Sequence, residues 1–339
     1  MYKEDIRIKK VIVHIMDTMV GMPILSETEI EYGSDFADFL KEHIFKIASG
    51  DDCKKCKFYE EQSEIYKMLI EYQEADFIEN SKKMAEQLYD IMVKNVEIPP
   101  GDLMVVQFKV QDIEYLALLK MNFKESYTHR TMPLEEGNSN LIIKYKSILP
   151  TENQRLLEAA IINLQDMTID LLEKKYEVNG EKTNYFSYLY LKCSSHLSHK
   201  SKLSIVTKAV ESIQKDHYGE EEQYEQVLRA KSIINDTLTE NGSFSVEEIA
   251  SKIFSEKPTL VDSFQEKMEK YDLVKEEISP QSERTTRKYE KQFLITDTGI
   301  EIKIPMEQYK DPGRVEFITN SDGTISVVIK NIGHLKAKF

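Results

Sequence analysis

The chain has 339 residues, 41% hydrophobic and 31% charged, a composition that excludes a disordered or low-complexity protein and sets two domains as the expectation. Lys and Arg number 45 against 59 Asp and Glu, for a net charge of −14. That balance excludes a protein that coats nucleic acid over its whole surface, so any duplex contact must use a restricted basic patch.

No apolar run reaches about 18 residues, so no membrane-spanning helix is expected. The start, MYKEDIRIKK, leads straight into a strand pattern without an apolar signal core. Three cysteines make no disulfide framework and predict a reducing, cytoplasmic setting. Residues 6–16 alternate and are β-branched, which predicts a strand, and Gly21 and Pro23 mark a turn into a returning strand over 24–31. Ser34 is placed to cap the helix DFADFLKEHIFKIA. Residues 50–57 read as a polar loop, followed by helices over about 60–73 and 75–94 that end at Pro99, Pro100 and Gly101. Strands are predicted at 102–110, 113–123, 141–149, 157–164 and 168–176, all continuing one sheet. Beyond residue 200 the pattern turns helical, over about 200–217, 222–240, 245–255 and 259–271, with Ser245 and Glu248 as a capping box. Alternation returns at 289–304 and in 315–332, where Asp322–Gly323 makes a hairpin turn. The expected fold is therefore α+β, with mixed, mostly antiparallel sheets and inserted helices. Its two domains are 1–180, structural or partner-binding, and 181–339, which holds the helical segment 200–271 and the terminal hairpin 315–332.

One window stands apart. Lys182–Val210 contains no Asp or Glu but carries Lys182, Lys192, Lys200, Lys202 and Lys208. Burial explains the absence over Tyr185–Leu191, read as a core strand. It does not explain the turn Ser194–Lys202, whose polar and basic side chains need water or a partner. Ser198 reads as an N-cap, with His199, Lys200 and Lys202 in the first turn of the next helix. Cations there oppose the helix dipole, so the turn is either solvated or binds an anion at free backbone N–H groups. A second cluster is Arg284, Arg287, Lys288 and Lys291, spaced by hydroxyls that suit phosphate. A third is the tail with Lys336 and Lys338, for which a charged edge strand is an equal account.

Other chemistry is weaker. Cys53-Lys-Lys-Cys56 with Cys193 and His196 has the types for a zinc site, but a single CxxC is a poor signal, and free cysteines without metal are the expectation. Residues 243–271 look like a helix-turn-helix, yet the candidate reading helix holds Asp262, Glu266 and Glu269, which argues against base readout. No phosphate loop, nucleophile elbow or HExxH is present. His14 sits among apolar residues and reads as a core histidine. Glu60, Glu61, Glu64, Asp102, Asp112 and Glu114 are the carboxylates a metal-dependent nuclease would need, though nothing fixes their geometry.

Six segments carry a family resemblance: VIVHIMD (11–17), FYEEQSEIY (58–66), IEYLALLK (113–120), YFSYLYLKCSSHLSHKSKL (185–203), IEIKIPMEQY (300–309) and VEFITNSDGTISVVIKNI (315–332). In these the chain resembles the bacterial nucleoid-associated proteins of the 37-kilodalton class. The resemblance implies a cytoplasmic, nucleoid-associated, non-enzymatic protein that binds double-stranded DNA with little sequence preference and uses no cofactor. It supplies no position-by-position set of DNA contacts, and the Cys53/Cys56 pair is not part of its pattern. The expected contacts are accordingly the charge-derived ones: Ser198, His199, Lys200, Lys202, Lys208, Arg284, Arg287, Lys288, Lys291, Lys336 and Lys338. The alternative is an adaptor acting on nucleoid protein partners with little direct DNA contact, and a metal-dependent nuclease is third. The 315–332 hairpin allows pairing across a homodimer.

Overall fold

The alternating run at the start of the chain forms the edge of a seven-stranded antiparallel sheet in the computed structural model, which describes residues 1–336, the side chains of Glu74, Glu220 and Glu221 excepted. The chain divides into two compact units, the first ending at Ser198 and the second beginning at His199.

The first unit runs β1 (Ile6–Met16), α1 (Ser34–Ala48), β2 (Lys54–Phe58), α2 (Glu64–Ile70), α3 (Phe77–Lys94), β3 (Gly101–Val110), β4 (Ile113–Asn122), β5 (Lys124–Pro133), β6 (Asn138–Ile148), β7 (Glu158–Asn163), β8 (Thr168–Leu172), β9 (Tyr176–Val178), β10 (Glu181–Thr183) and β11 (Cys193–Ser195). The sheet order is β1-β3-β4-β7-β8-β2-β11. Both of its faces are covered, so its central strands are apolar at almost every position. In β3, Leu103 and Val105 pack with Met84 and Leu88 of α3, while Met104, Val106 and Phe108 pack with Leu40 and Ile44 of α1. Residues 177–183, expected between domains, form the β9–β10 turn inside this unit.

Three local expectations need correction. Residues 24–31 are not a strand. Only Ile24 bridges to Ile15, and Ser26 instead hydrogen-bonds His14 and the carbonyl of Val13. The 50–57 segment is not all loop, because Lys54–Phe58 pairs with both β8 and β11. Its lysines hid the strand: Lys55 and Lys57 stand at the solvated positions on either side of Cys56. Finally, β6 does not continue the large sheet. It pairs only with β5, in a separate exposed hairpin.

A tight turn at Gln111–Asp112 joins β3 to β4, with Gln111 in the left-handed region (φ 53°). Gly101, expected as a helix stop, has a packing role. A Cβ there would lie 2.5 Å from the carbonyl oxygen of Met121 and 2.9 Å from Cα of Asn122. Backbone cannot yield as a side chain can, so Gly101→Ala is expected to destabilise the protein by about 1–3 kcal/mol. Urea denaturation should show a lower midpoint at unchanged m-value, and an unaltered midpoint would mean the strands part freely.

The second unit holds α4 (His199–His217), α5 (Glu220–Asn241), β12 (Phe244–Ser245), α6 (Val246–Ile253), α7 (Pro258–Glu269), β13 (Glu277–Ile278), α8 (Glu283–Thr286), β14 (Lys291–Ile295), β15 (Glu301–Pro305), α9 (Met306–Tyr309), β16 (Val315–Thr319) and β17 (Ile325–Ile329). Leu203, Val206, Ile234, Ile249 and Phe264 form its core. Ser245 caps α6, its Oγ accepting from the Glu248 N–H at 3.1 Å. The β16–β17 hairpin forms around Asp322–Gly323 and packs through Phe317 on Tyr224 and Tyr309. The α+β class with mostly antiparallel sheets is borne out.

Candidate nucleic-acid interface

The acid-free window splits in two. Tyr185–Leu191 is core, but it is not a strand: residues 186–191 form a π-helical turn, closed by Lys192 in the left-handed conformation (φ 49°). Helical winding puts Tyr185, Phe186 and Tyr190 together in the core and leaves Tyr188 exposed. A strand would have split these rings between two faces. Acids are absent here because the segment is buried, apart from one arrangement at its edge. The Tyr185 hydroxyl donates to Oε1 of the buried Glu158 (3.3 Å). The Asn122 amide donates to Oε2 of Glu158 (2.9 Å), and Lys120 Nζ donates to Asn122 Oδ1 and to the Pro99 carbonyl. Burial pushes the Lys120 amine down to about 8, and only Glu158 opposes this.

Beyond Ser194 the window becomes polar. Helix α4 starts at His199, so Ser198 occupies the position ahead of its first turn, where it is buried. His199 Nδ1 accepts the Ser279 N–H at 3.2 Å. A ring that accepts at Nδ1 is neutral, so His199 adds no positive charge while that bond holds. Lys202 is largely buried and its Nζ lies 2.5 Å from Glu276 Oε2. Two of the expected contacts therefore tie the helix start to the 276–279 segment, which answers why cations and a histidine stand there. Lys200 and Lys208 are exposed.

The same ties bring two clusters onto one flank. The segment 276–289 is laced to α4 at three points: Glu276 to Lys202, Ser279 to His199, and Tyr289 to Thr207, whose hydroxyls lie 2.9 Å apart. That segment carries α8, so Arg284, Arg287 and Lys288 stand beside α4, all exposed. Arg287 Nη2 pairs with Glu283 at 2.7 Å. Lys288 lies over the Tyr289 ring, 4.7 Å from its centre. Lys291 begins β14 and is exposed. Lys336 is exposed but follows a hairpin that packs on α5 and α9, and Lys338 lies outside the described residues.

One cation on this flank had no place among the expected contacts. Lys231 of α5 lines a cavity of about 240 Å³ with Thr207, Glu211, Gln214, Lys288 and Tyr289. Burial and then the neighbouring Lys288 lower the Lys231 amine, and Glu211 opposes them. Its signal was legible in principle. Lys231 falls with Val227, Ala230 and Ile234 at helical spacing, a cation on an apolar stripe. α5 as a whole is acidic, with Glu220, Glu221, Glu222 and Glu225 ahead of Lys231, which masks the cation in a helix-wide charge count.

The remaining motifs do not assemble. Cys56 and Cys193 pack in the core on the α3 side of the sheet, and Cys53 packs on the α1 side. Three residues along a near-extended chain reverse the face, so the CxxC pair cannot close on one ion. Burial pushes the Cys53 thiol up to about 12. His14 is buried between Ser26 N–H, which its Nδ1 accepts at 3.2 Å, and Ser81 Oγ, to which its Nε2 donates at 2.9 Å. Of the six carboxylates, Glu114 is held by Lys9 (2.6 Å), Glu64 pairs with Lys67, and Asp102 is turned into the sheet. On α7 the exposed face is Asp262, Ser263, Glu266 and Glu269, while Leu260, Phe264 and Met268 face the core. A helix with that outer face would be repelled by a major groove.

No helix among the described residues is long and apolar enough to cross a membrane. No curated protein matches the chain in sequence. A family model described as nucleoid-associated protein YejK matches residues 12–336, nearly the whole length, and the chain belongs to that nucleoid-associated family.

Proposed function

We propose that the chain binds double-stranded DNA without reading bases, through the basic flank of the unit that begins at His199, and acts as a non-enzymatic cytoplasmic protein of the nucleoid. The observation that carries this reading is the lacing of 276–289 onto α4, which sets Lys200, Lys208, Lys231, Arg284 and Lys288 on one unit of an acidic chain. Family membership supplies the setting. Of the residues picked from charge alone, Lys202 and His199 act as scaffold for this flank. Lys336 and Lys291 stand apart from the lacing. Acids elsewhere on the surface repel the duplex in wrong orientations, which narrows contact to the flank.

The adaptor reading calls for a broad apolar face on the large sheet of the first unit, and α1 on one side and α2 with α3 on the other cover that sheet. The test of DNA binding is fluorescence anisotropy with unrelated duplexes at rising salt. Affinity should fall linearly on a log–log plot, with a slope of about −0.9 per phosphate neutralised. The double variant Arg284→Glu with Lys288→Glu should weaken binding at least about tenfold, equally for every sequence, and flatten the slope by about one for each phosphate no longer neutralised. No binding at low salt would remove the proposal, and unchanged affinity in the variant would remove the flank.

A further inference from the structure

β5 and β6 leave the large sheet as a two-stranded arm, residues 124–148. Every position of β5 is exposed, and β6 is exposed over most of its length. β4 runs into β5 at Phe123, and β6 returns toward β7, so the arm is anchored at its stem and open along both edges.

The arm is not built for water. Ile142 is 72% exposed, Tyr127 68%, Leu134 57% and Tyr145 52%. The register separates them onto both faces. Tyr145 opposite Ser126 and Leu141 opposite Arg130 share one face, and Tyr127 opposite Lys144 and Ile142 opposite His129 share the other. A lone two-stranded hairpin is at best marginally stable in water. Contiguous apolar surface on such an element marks an interaction site.

Its charge identifies the occupant. The tip carries Glu135 and Glu136, and the stem carries Lys124, Lys144 and Lys146. The stem's own acid, Glu125, is engaged by Lys144 at 2.5 Å, which leaves the stem basic. We propose that this arm is a dimerisation element, in which the arms of two copies lie antiparallel so that each acidic tip meets the other's basic stem. That arrangement is self-complementary and closes with two-fold symmetry. It covers Tyr127 and Ile142, on the face of each arm that also carries Lys144. DNA fits the arm less well, because Glu135 and Glu136 would lead it into phosphates.

The test is sedimentation velocity on the full chain, with two charge variants and one apolar variant. All lie on the exposed arm, and unchanged circular dichroism and melting check that they fold. The wild type is expected to sediment as a dimer at micromolar loading. E135K/E136K and K124E/K146E should each weaken self-association at least about tenfold, by placing like charges where tip and stem meet. An equimolar mixture of the two should recover a heterodimer, because opposite charges then meet at tip and stem. Ile142→Asp should yield monomer. A monomeric wild type, or charge variants that dimerise like it, would overturn the proposal. So would a monomeric chain whose arm variants lose duplex affinity, which would assign the arm to DNA instead.

Discussion

Lys120→Met is expected to be the most damaging single substitution outside the apolar core, at about 3–5 kcal/mol. Lys120 and Glu158 are fully buried, with Nζ 4.0 Å from the carboxylate and Asn122 bridging them. Removing the ammonium leaves Glu158 as an uncompensated buried charge, held by the Asn122 amide and the Tyr185 hydroxyl. Adding Glu158→Gln to Lys120→Met should recover much of the loss, since the remaining groups are neutral and still hydrogen-bond. A urea-denaturation double-mutant cycle measures this directly. Near-additive effects would show that the two charges do not sense each other. The cluster also fixes the π-helical turn through Tyr185, so the single variant should raise hydrogen exchange around residues 185–191.

Asp102→Asn is expected to stabilise the protein at pH 8 by about 1–3 kcal/mol, and to do nothing below pH 4. Burial, and then the neighbouring Asp17, push the Asp102 carboxyl up to about 6, and its Oδ1 has no hydrogen-bond partner. The sign follows from proton binding. Between about 4 and 6 the folded state holds the proton more tightly than the unfolded chain, so wild-type stability falls as pH rises through that window. His14, opposite the next residue along β3, works the other way. Burial and then Lys82 push its ring down to about 4, against Glu27. The unfolded chain therefore takes up the proton first, and stability falls as pH drops from about 6.5 to 4. The two slopes oppose each other, so the wild type should show a shallow pH profile between 4 and 6.5. Asp102→Asn should expose the uncancelled His14 slope, with stability rising with pH across that interval. A flat profile in the variant would contradict the assignment to His14.

Much of the fold was legible because its elements follow simple periods. Helices α4 to α7 lie where their apolar spacing put them, and the Asp–Gly hairpin formed as its turn required. Failures came where one segment served two demands. Lys54–Phe58 is a strand paired on both edges, in which Lys55 and Lys57 alternate with the core residues Cys56 and Phe58, and it read as loop. Tyr185–Leu191 is a short aromatic and apolar run that reads as a buried strand but winds so that several rings share one core. The arm strands alternate without any face of their own sheet to cover. At the candidate interface, charge in the sequence marked the neighbourhood and missed the roles. Lys202 and His199 bind the protein's own backbone and a carboxylate, and Lys231 was hidden in an acidic helix. Pairings such as Lys202–Glu276 join residues far apart in sequence, which no local window contains.

The order of strands in the large sheet also dictates when it can form. β2 lies between β8 and β11, whose residues come more than a hundred positions later. On a translating ribosome β2 would emerge with no neighbour and wait on the order of ten seconds for the strands that flank it. During that interval Cys56 and Phe58 are exposed in a strand with two unsatisfied edges. The lysines that disguise this strand, Lys54, Lys55 and Lys57, then act as gatekeepers in the nascent chain.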